Sequence, residues 1–329
     1  MRKKFTGVVA IAAIAAIAAI GLTGCSTTAS TDTASAKPFK VIAFTSGNQT
    51  PIGAWWVKAV TAEAATNGWE LTMIQGDFDF TKMNPAVESA IGQGADAIFD
   101  GYTDVASIGS IVTAAKDAKI PIFAMDSATA VSDAFVTNIT TNQQGIVDQT
   151  LGAISAKIGG LKGKNIMVIG HDPHPGIRMR AGLAKDALIK AGANIAGGDV
   201  QKVKSPATGR TEALALVADY LTAHPGGLDA VWVGWDDAAL GALKGVTEAG
   251  SAAVVTGVDA SSEAIAGIEA GGNFLATIDQ PWPSILKMID ADLLAYQKDG
   301  TLPAKSFIAV DANLVDITNA ATTTPSDKL

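Results

Sequence analysis

Residues 229–244 read Asp-Ala-Val-Trp-Val-Gly-Trp-Asp-Asp-Ala-Ala-Leu-Gly-Ala-Leu-Lys. Ala230, Val231, Trp232 and Val233 form an unbroken apolar run, Gly234-Trp235-Asp236 turns the chain, and Ala239, Leu240 and Leu243 then recur at helical spacing. An apolar strand without alternation belongs in a sheet covered on both faces. A strand feeding a helix through a tight turn is half of a parallel βαβ unit. Ligands of such sheets sit beyond the carboxyl ends of the strands. Here that place holds an indole, Trp235, and two carboxylates, Asp236 and Asp237.

The same grammar extends in both directions. Upstream, strands are expected at residues 40–45, 69–75, 96–100, 120–125 and 134–138. Between them lie a helix carrying Trp55 and Trp56, a helix over 83–93 with Pro85 in its first turn, where proline is tolerated, and a helix over 105–118. The pattern then restarts with a helix over 142–158, a strand at 165–169, a helix over 177–191, a weak strand within 194–202 and a helix over 210–223. His224-Pro225-Gly226-Gly227 stops that last helix. Beyond the quoted stretch come strands at 252–257 and 273–278 with a helix between them, a long helix at 285–298, and short strands near 307–310 and 313–316. The segment from residue 318 onward reads as disordered. Alternation of β and α twice over predicts an α/β fold of two doubly wound, Rossmann-like lobes. A chain of 329 residues is long enough for two such units.

Residues 1–25 have another character. Arg2, Lys3 and Lys4 precede an apolar run over 7–22, the layout of a secretory signal. The run is short for a membrane span, which needs about 20 residues. It ends in Leu22-Thr23-Gly24-Cys25, a tetrapeptide that resembles the bacterial lipobox. Cys25 is the only cysteine, so no intrachain disulfide is possible. Its lipidation would tether a fold to the membrane without a spanning helix. Residues 26–37 are Ser, Thr and Ala with little to bury, as in a flexible tether. The formal charge of −8, with acidic residues scattered, argues against nucleic acid as a partner.

Several chemistries are missing. No turn carries the Gly-x-Gly-x-x-Gly of a dinucleotide site, a phosphate-binding Gly-Lys-Ser/Thr loop or a Gly-x-Ser-x-Gly elbow. His171 and His174 are close, but Pro173 lies between them, and their spacing of three could ligate a metal only with partners the sequence does not show. No cofactor, no metal and no enzymatic activity are therefore expected. The turns instead share polar and aromatic residues: Trp55, Trp56, Asp126, Arg178, Trp235, Asp236, Asp259 and Gln280, with Tyr102, Arg180 and His174 as weaker candidates. Carboxylates accept hydrogen bonds from hydroxyls and guanidinium groups donate them. Aromatic faces pack on the C–H faces of a sugar. The mixture suits a neutral, polyhydroxylated small molecule.

Each of these residues also has a plainer reading. Asp126 and Asp259 serve equally well as helix N-caps. Trp55 and Trp56 diverge by about 100° on a helix, so one is expected in the core. Trp232, inside a strand, is a core residue, and Tyr102 reads equally well as a loop aromatic. Arg178 and Arg180 open a helix, where the dipole disfavours cations, so one of them is paired or faces a ligand. Asp236 opens its helix and reads as the cap.

The chain resembles the type I periplasmic sugar-binding proteins, the receptors of ABC importers. The resemblance rests on Ile120-Pro-Ile-Phe-Ala-Met-Asp126, on the segment from Leu221 through Ala242, on Val255-Thr-Gly-Val-Asp259 and on Ala276-Thr-Ile-Asp-Gln280, in the family's order. It implies two lobes joined by three crossings that close over a sugar, here a monosaccharide or similar polyol. By position it implies stacking by Trp55 and Trp56, hydroxyl binding by Asp126 and Asp259, and further contacts from Arg178, or else Arg180, and Gln280. Trp235 and Gly101 stand where the family usually has asparagines, and Thr208 where it often has an aromatic. The implied partners are an ABC permease and its ATPase, with the receptor a monomer. A nucleoside or signalling furanose as ligand, or docking on a membrane kinase, are the alternatives. The expected layout is a signal peptide at 1–24, a lipidated cysteine and tether at 25–37, a first lobe of 38–140 plus 281–309, a second lobe of 141–280 plus 310–318, and a tail at 319–329.

Overall fold

A computed structural model describes residues 37–329. Cys25, the signal and most of the tether lie outside the described residues. In chain order the elements are β1 (Lys40–Thr45), α1 (Pro51–Asn67), β2 (Glu70–Gln75), α2 (Phe80–Gly92), β3 (Ala97–Gly101), α3 (Gly109–Ala118), β4 (Ile122–Met125) and β5 (Thr137–Thr141). There follow α4 (Gln143–Ile158), β6 (Asn165–Gly170), α5 (Pro175–Lys190), the two-residue β7 (Asn194–Ile195) and β8 (Gln201–Lys202), α6 (Gly209–Ala223), β9 (Ala230–Val233) and α7 (Asp236–Glu248). The last are β10 (Val254–Thr256), α8 (Ser262–Glu269), β11 (Phe274–Asp279), α9 (Trp282–Asp299), β12 (Phe307–Val310) and β13 (Asn313–Val315).

Two sheets result, with strand orders β12-β5-β4-β3-β1-β2 and β13-β11-β10-β9-β6-β7. All pairings are parallel except β11 with β13. The chain passes between the sheets after β5, after β11 and again after β12, so three strands of chain join the lobes. Every residue of β3, β4 and β9 is buried, as expected for strands covered on both faces. The helices α1 and α9 cover one face of the first sheet and α2 and α3 the other. In the second lobe α6, α7 and α8 cover one face and α4 and α5 the other.

Local chemistry sets the element ends. Thr50 caps α1 by accepting from the Gly53 N–H at 3.0 Å, with Pro51 at the first helical position, and Gly68 ends the helix at φ 68°. Helix α2 departs from the expected start. Asp79 accepts from the N–H groups of Thr81 and Lys82, so the helix begins at Phe80 and Pro85 lies inside it rather than in its first turn. The fifth strand lies three residues later than its apolar run suggested, because Thr137 to Thr141 are buried against β4 and β12. The weak strand within 194–202 is reduced to β7 and β8, each paired to β6.

Residues 318–329, expected to be disordered, pack on the fold. Ala320 is buried in the core beside α6, α7 and α8, and Ser326 is 1% exposed. Composition misleads here because two long-range anchors, not a local pattern, hold the segment.

Trp232 is fully buried, its Nε1 donating to Thr150 Oγ1 at 2.8 Å. Trp56 is also fully buried, edge-on to Phe99 with centroids 5.1 Å apart. Its indole covers the backbone of Gly101, where a Cβ would lie 2.5 Å from Trp56 Cε2. The Trp56 ring therefore excludes any side chain at position 101, an asparagine included. Trp56→Ala should cost about 3–5 kcal/mol in urea unfolding monitored by far-UV circular dichroism; a loss under 1 kcal/mol would mean that the indole is not packed as described.

Candidate functional site

The carboxyl ends of both sets of strands open onto one cavity of about 400 Å3. That size is in the range of small-molecule sites. Asp126, Asp259, Gln280, Trp235, Tyr102, Arg180 and His174 all line it. Trp55, Trp56 and Arg178 do not. Trp56 lies beneath the first sheet's turns, and Trp55, one helical step round, packs half-buried on the same cluster. The aromatic surfaces in the cavity come instead from Trp235, Trp282, Tyr102, Phe78 and Phe80.

Arg180 is the buried cation of the site, 2% exposed. Its Nε donates to Gly234 O and its Nη1 to Gln143 Oε1, each at 2.9 Å. Gln143 is held in turn by its own amide, which donates to Thr141 O at 3.1 Å. Nη2 makes no hydrogen bond to another described residue and remains for a ligand. Burial lowers the Arg180 pKa, and the charges of Asp259 and Asp126 oppose that shift. Arg178, two residues earlier, projects elsewhere. Its Nη2 meets Asp104 Oδ2 at 2.9 Å, and Nη1 donates to Asp172 O. Because Asp104 follows β3 and Arg178 belongs to α5, this ion pair spans the two lobes, with Asp104 buried in the cavity wall and Arg178 half-exposed behind it.

The carboxylates differ in their commitments. Asp126 is 2% exposed; Thr140 Oγ1 donates to Oδ1, and Oδ2 lies 3.4 Å from His174 Nε2. Burial pushes its pKa up to about 6, against the Thr140 hydrogen bond and the Arg180 charge. Asp259 accepts from Gln280 Nε2 at 2.7 Å. Burial and the neighbouring Asp236 raise its pKa, while Arg180 and Gln280 pull it down. Neither aspartate caps a helix: α8 is capped by Ser261 and α4 by Asn142. Asp236 does not cap α7 either. It is the first residue of that helix and spends both oxygens within the second lobe, on the Ser261 N–H and the Thr277 hydroxyl, each at 2.7 Å.

Backbone geometry marks the same turns. Tyr102 (φ 57°), Asp126 (φ 56°), Asp259 (φ 121°) and Ala260 (φ 51°) all sit in the left-handed half of φ space, just past the ends of β3, β4 and β10. Such strain concentrates where a surrounding structure holds a side chain on target. Trp235 packs on Gly209, where a Cβ would come within 2.8 Å of Cζ2, and its ring lies 6.1 Å from that of His171. Trp282 stands edge-on to Tyr102 with centroids 5.3 Å apart. Tyr102 Oη, Trp282 Nε1 and Gln280 Oε1 are buried without partners among the described residues. Trp282, Phe78, Gln143 and Asp104 were not singled out from sequence. Trp282 alone had a signal, its place two residues after Gln280.

His174 caps α5: its Nδ1 accepts from the Ile177 N–H at 3.3 Å, which puts the ring proton on Nε2, toward Asp126. Burial, then Arg180, His171 and Arg178, push its pKa down to about 3. Burial also lowers the pKa of His171, against the hydrogen bond from its Nδ1 to Val203 O at 2.9 Å and the charges of Asp172 and Glu212. No group of three or more His, Cys, Asp or Glu side chains is placed to hold a metal among the described residues. The histidine shift carries a sign. The unfolded chain takes up a proton at His174 near pH 6.5 and the folded chain only near pH 3, so this group's stabilisation is lost as pH falls from about 6.5. Asp126 works oppositely, since its raised pKa stabilises at low pH and the contribution disappears as pH rises through about 6. His174→Asn, which keeps a capping side chain, should lose about 2 kcal/mol less stability than the parent between pH 7.5 and pH 5. Parallel urea-unfolding curves for the two proteins across that range would rule this out.

Residues 39–297 match the family described as "Periplasmic binding protein domain". The chain is 26% identical over 214 residues to the ribose import binding protein RbsB of Bacillus subtilis, a match over 64% of this chain and 67% of that one. It is 27% identical over 218 residues to the xylitol-binding protein of Mycolicibacterium smegmatis, over 65% and 60% of the two chains. In three dimensions it superimposes with a TM-score of 0.78 on an ABC transporter solute-binding protein from Agrobacterium vitis crystallised with allitol, at 22% identity, covering 87% of this chain and 97% of that one. The two parallel sheets, the three crossings and the match over most of the chain lead to one conclusion: this chain belongs to the periplasmic binding protein family, with the type I fold.

Proposed function

We propose that the protein is the solute-binding component of an ABC importer and captures a monosaccharide or an acyclic polyol in the cavity between its lobes. One observation carries this reading. A buried guanidinium shares the cavity with the carboxylates of Asp126 and Asp259, whose charges act on it, and with three buried polar atoms that have no partner among the described residues, Tyr102 Oη, Trp282 Nε1 and Gln280 Oε1. A molecule with several hydroxyls, each able to donate and accept, would pair with all of these groups at once. An aliphatic ligand would leave them unpaired at about 1–3 kcal/mol each. Trp235 and Trp282 supply aromatic faces for the C–H surface of the same molecule. Relatives named for ribose and xylitol support the choice of ligand class.

Binding would work by shifting an open–closed equilibrium, because residues on both sheets contribute to one cavity. An extracytoplasmic location goes with the family, and lipidation of Cys25 would hold the receptor at the membrane beside its permease and ATPase. Among the described residues no helix is long and apolar enough to cross a membrane.

A thermal-shift screen over pentoses, hexoses and their polyols at millimolar concentration should raise the melting temperature for at least one of them. With that ligand, calorimetry should show Arg180→Ala weakening binding by more than 100-fold. Arg178→Ala should cost about fivefold or less, because the Arg178 guanidinium is half-exposed and does not itself line the cavity. Equal losses in the two variants would overturn the assignment of Arg180, and a screen without any shift would overturn the sugar reading.

A further inference from the structure

Past β13 the chain turns back along α8 and reaches the cavity. Ala320 is buried in the second lobe's core. The Ser326 N–H donates to Ala260 O at 2.9 Å, and the Asp327 carboxylate accepts from the Ser262 N–H at 2.7 Å and from its hydroxyl at 2.9 Å. Every one of these anchors belongs to the second lobe. The short turn at Ser326–Lys328 nevertheless lies against α1, a helix of the first lobe. Ser326 and Asp327 line the cavity there together with Thr50, Pro51 and Ile52 at the start of α1. Ser326 is 1% exposed, and its Oγ has no hydrogen-bond partner among the described residues. A buried hydroxyl left so is costly unless water or a ligand pairs with it.

We propose that residues 316–329 form a rim, fixed to the second lobe, that closes one side of the cleft by resting on α1, and that Ser326 Oγ hydrogen-bonds a hydroxyl of the bound molecule. The rim is hydrogen-bonded to one lobe and only in contact with the other, so it moves with the second lobe when the cleft opens. It also walls the cavity beside α1, so a substituent extending from the ligand in that direction is excluded. The Ser326 contact rests on the sugar- or polyol-binding reading above; the rim itself does not.

The experiment has two arms. In the first, acrylamide quenching of tryptophan fluorescence is measured in ligand-free protein, because Trp235 and Trp282 line the cavity behind the rim. Removal of residues 324–329 should raise the quenching constant at least twofold, and the increase should disappear when Trp235→Phe and Trp282→Phe are both present. Unchanged quenching overturns the rim. If the shortened chain does not fold, Asp327→Ala, which frees the segment from Ser262, is measured in its place with the same expected result. In the second arm, calorimetry with D-ribose and xylitol compares the parent with Ser326→Ala and Ser326→Thr. The alanine variant should bind three- to tenfold more weakly and the threonine variant should recover most of the loss. Unchanged affinity in Ser326→Ala overturns the contact. A parent that binds no sugar or polyol at all removes the Ser326 contact together with the sugar reading, while the quenching arm still decides the rim.

Discussion

The charge of Arg180 is the constraint on which the site depends. A guanidinium removed almost wholly from water is untenable unless carboxylates and carbonyl groups surround it. Here the compensation comes from separate turns: Asp126 after β4 in the first lobe, Asp259 after β10 in the second, the Gly234 carbonyl after β9 and the Gln143 amide at the start of α4. One buried charge thereby bonds two distant pieces of chain and acts through its field on two more. The cost is shared, since burial raises the pKa of both carboxylates and Arg180 offsets only part of that rise. A hydroxyl-bearing ligand that donates to the carboxylates and accepts from Nη2 would relieve the same imbalance.

Commitment separates the polar groups that build the cavity from those left to act in it. Asp236, Gln143 and the ring nitrogens Nδ1 of His171 and His174 have partners within the fold, and they position their neighbours. Tyr102, Trp282 and Gln280 each keep a buried atom free. The same distinction explains why Asp236 and Asp259, both at the carboxyl ends of neighbouring strands, differ in consequence. The first locks α7 to the start of α8, whereas the second, on a strained backbone, meets only Gln280 and faces Arg180.

Much of the architecture was legible because it is written in local periodicity. The apolar run over 230–233, its tight turn and the spacing of Ala239, Leu240 and Leu243 demanded a buried parallel strand followed by a helix, and β9 and α7 lie there. Repetition of that unit specified two doubly wound lobes. The position of polar residues after strands brought Asp126, Asp259, Gln280 and Trp235 to the fore, and all four line one cavity. None of this requires knowledge of which residues meet across the chain.

Facing directions were another matter, and tertiary structure alone decided them. Arg178 and Arg180 differ by about 200° around α5 and Trp55 and Trp56 by about 100° around α1, so a small rotation of either helix exchanges the residue in the cleft for the residue outside it. That rotation is set by packing against distant side chains, Trp56 on Phe99 and Gly101 in one case, Arg180 on Gly234 and Gln143 in the other. The segment after β13 shows the same limit at longer range. Its composition suits disorder, yet hydrogen bonds from Ser262 to Asp327 and from Ser326 to Ala260, each pair more than sixty residues apart, hold it against the cleft. By itself the sequence determined the elements, their order and the turns at which a site would form, because periodicity and turn chemistry act between near neighbours. Which side chains enter that site, and what closes it, follows from contacts between residues far apart in the chain, which no local pattern encodes.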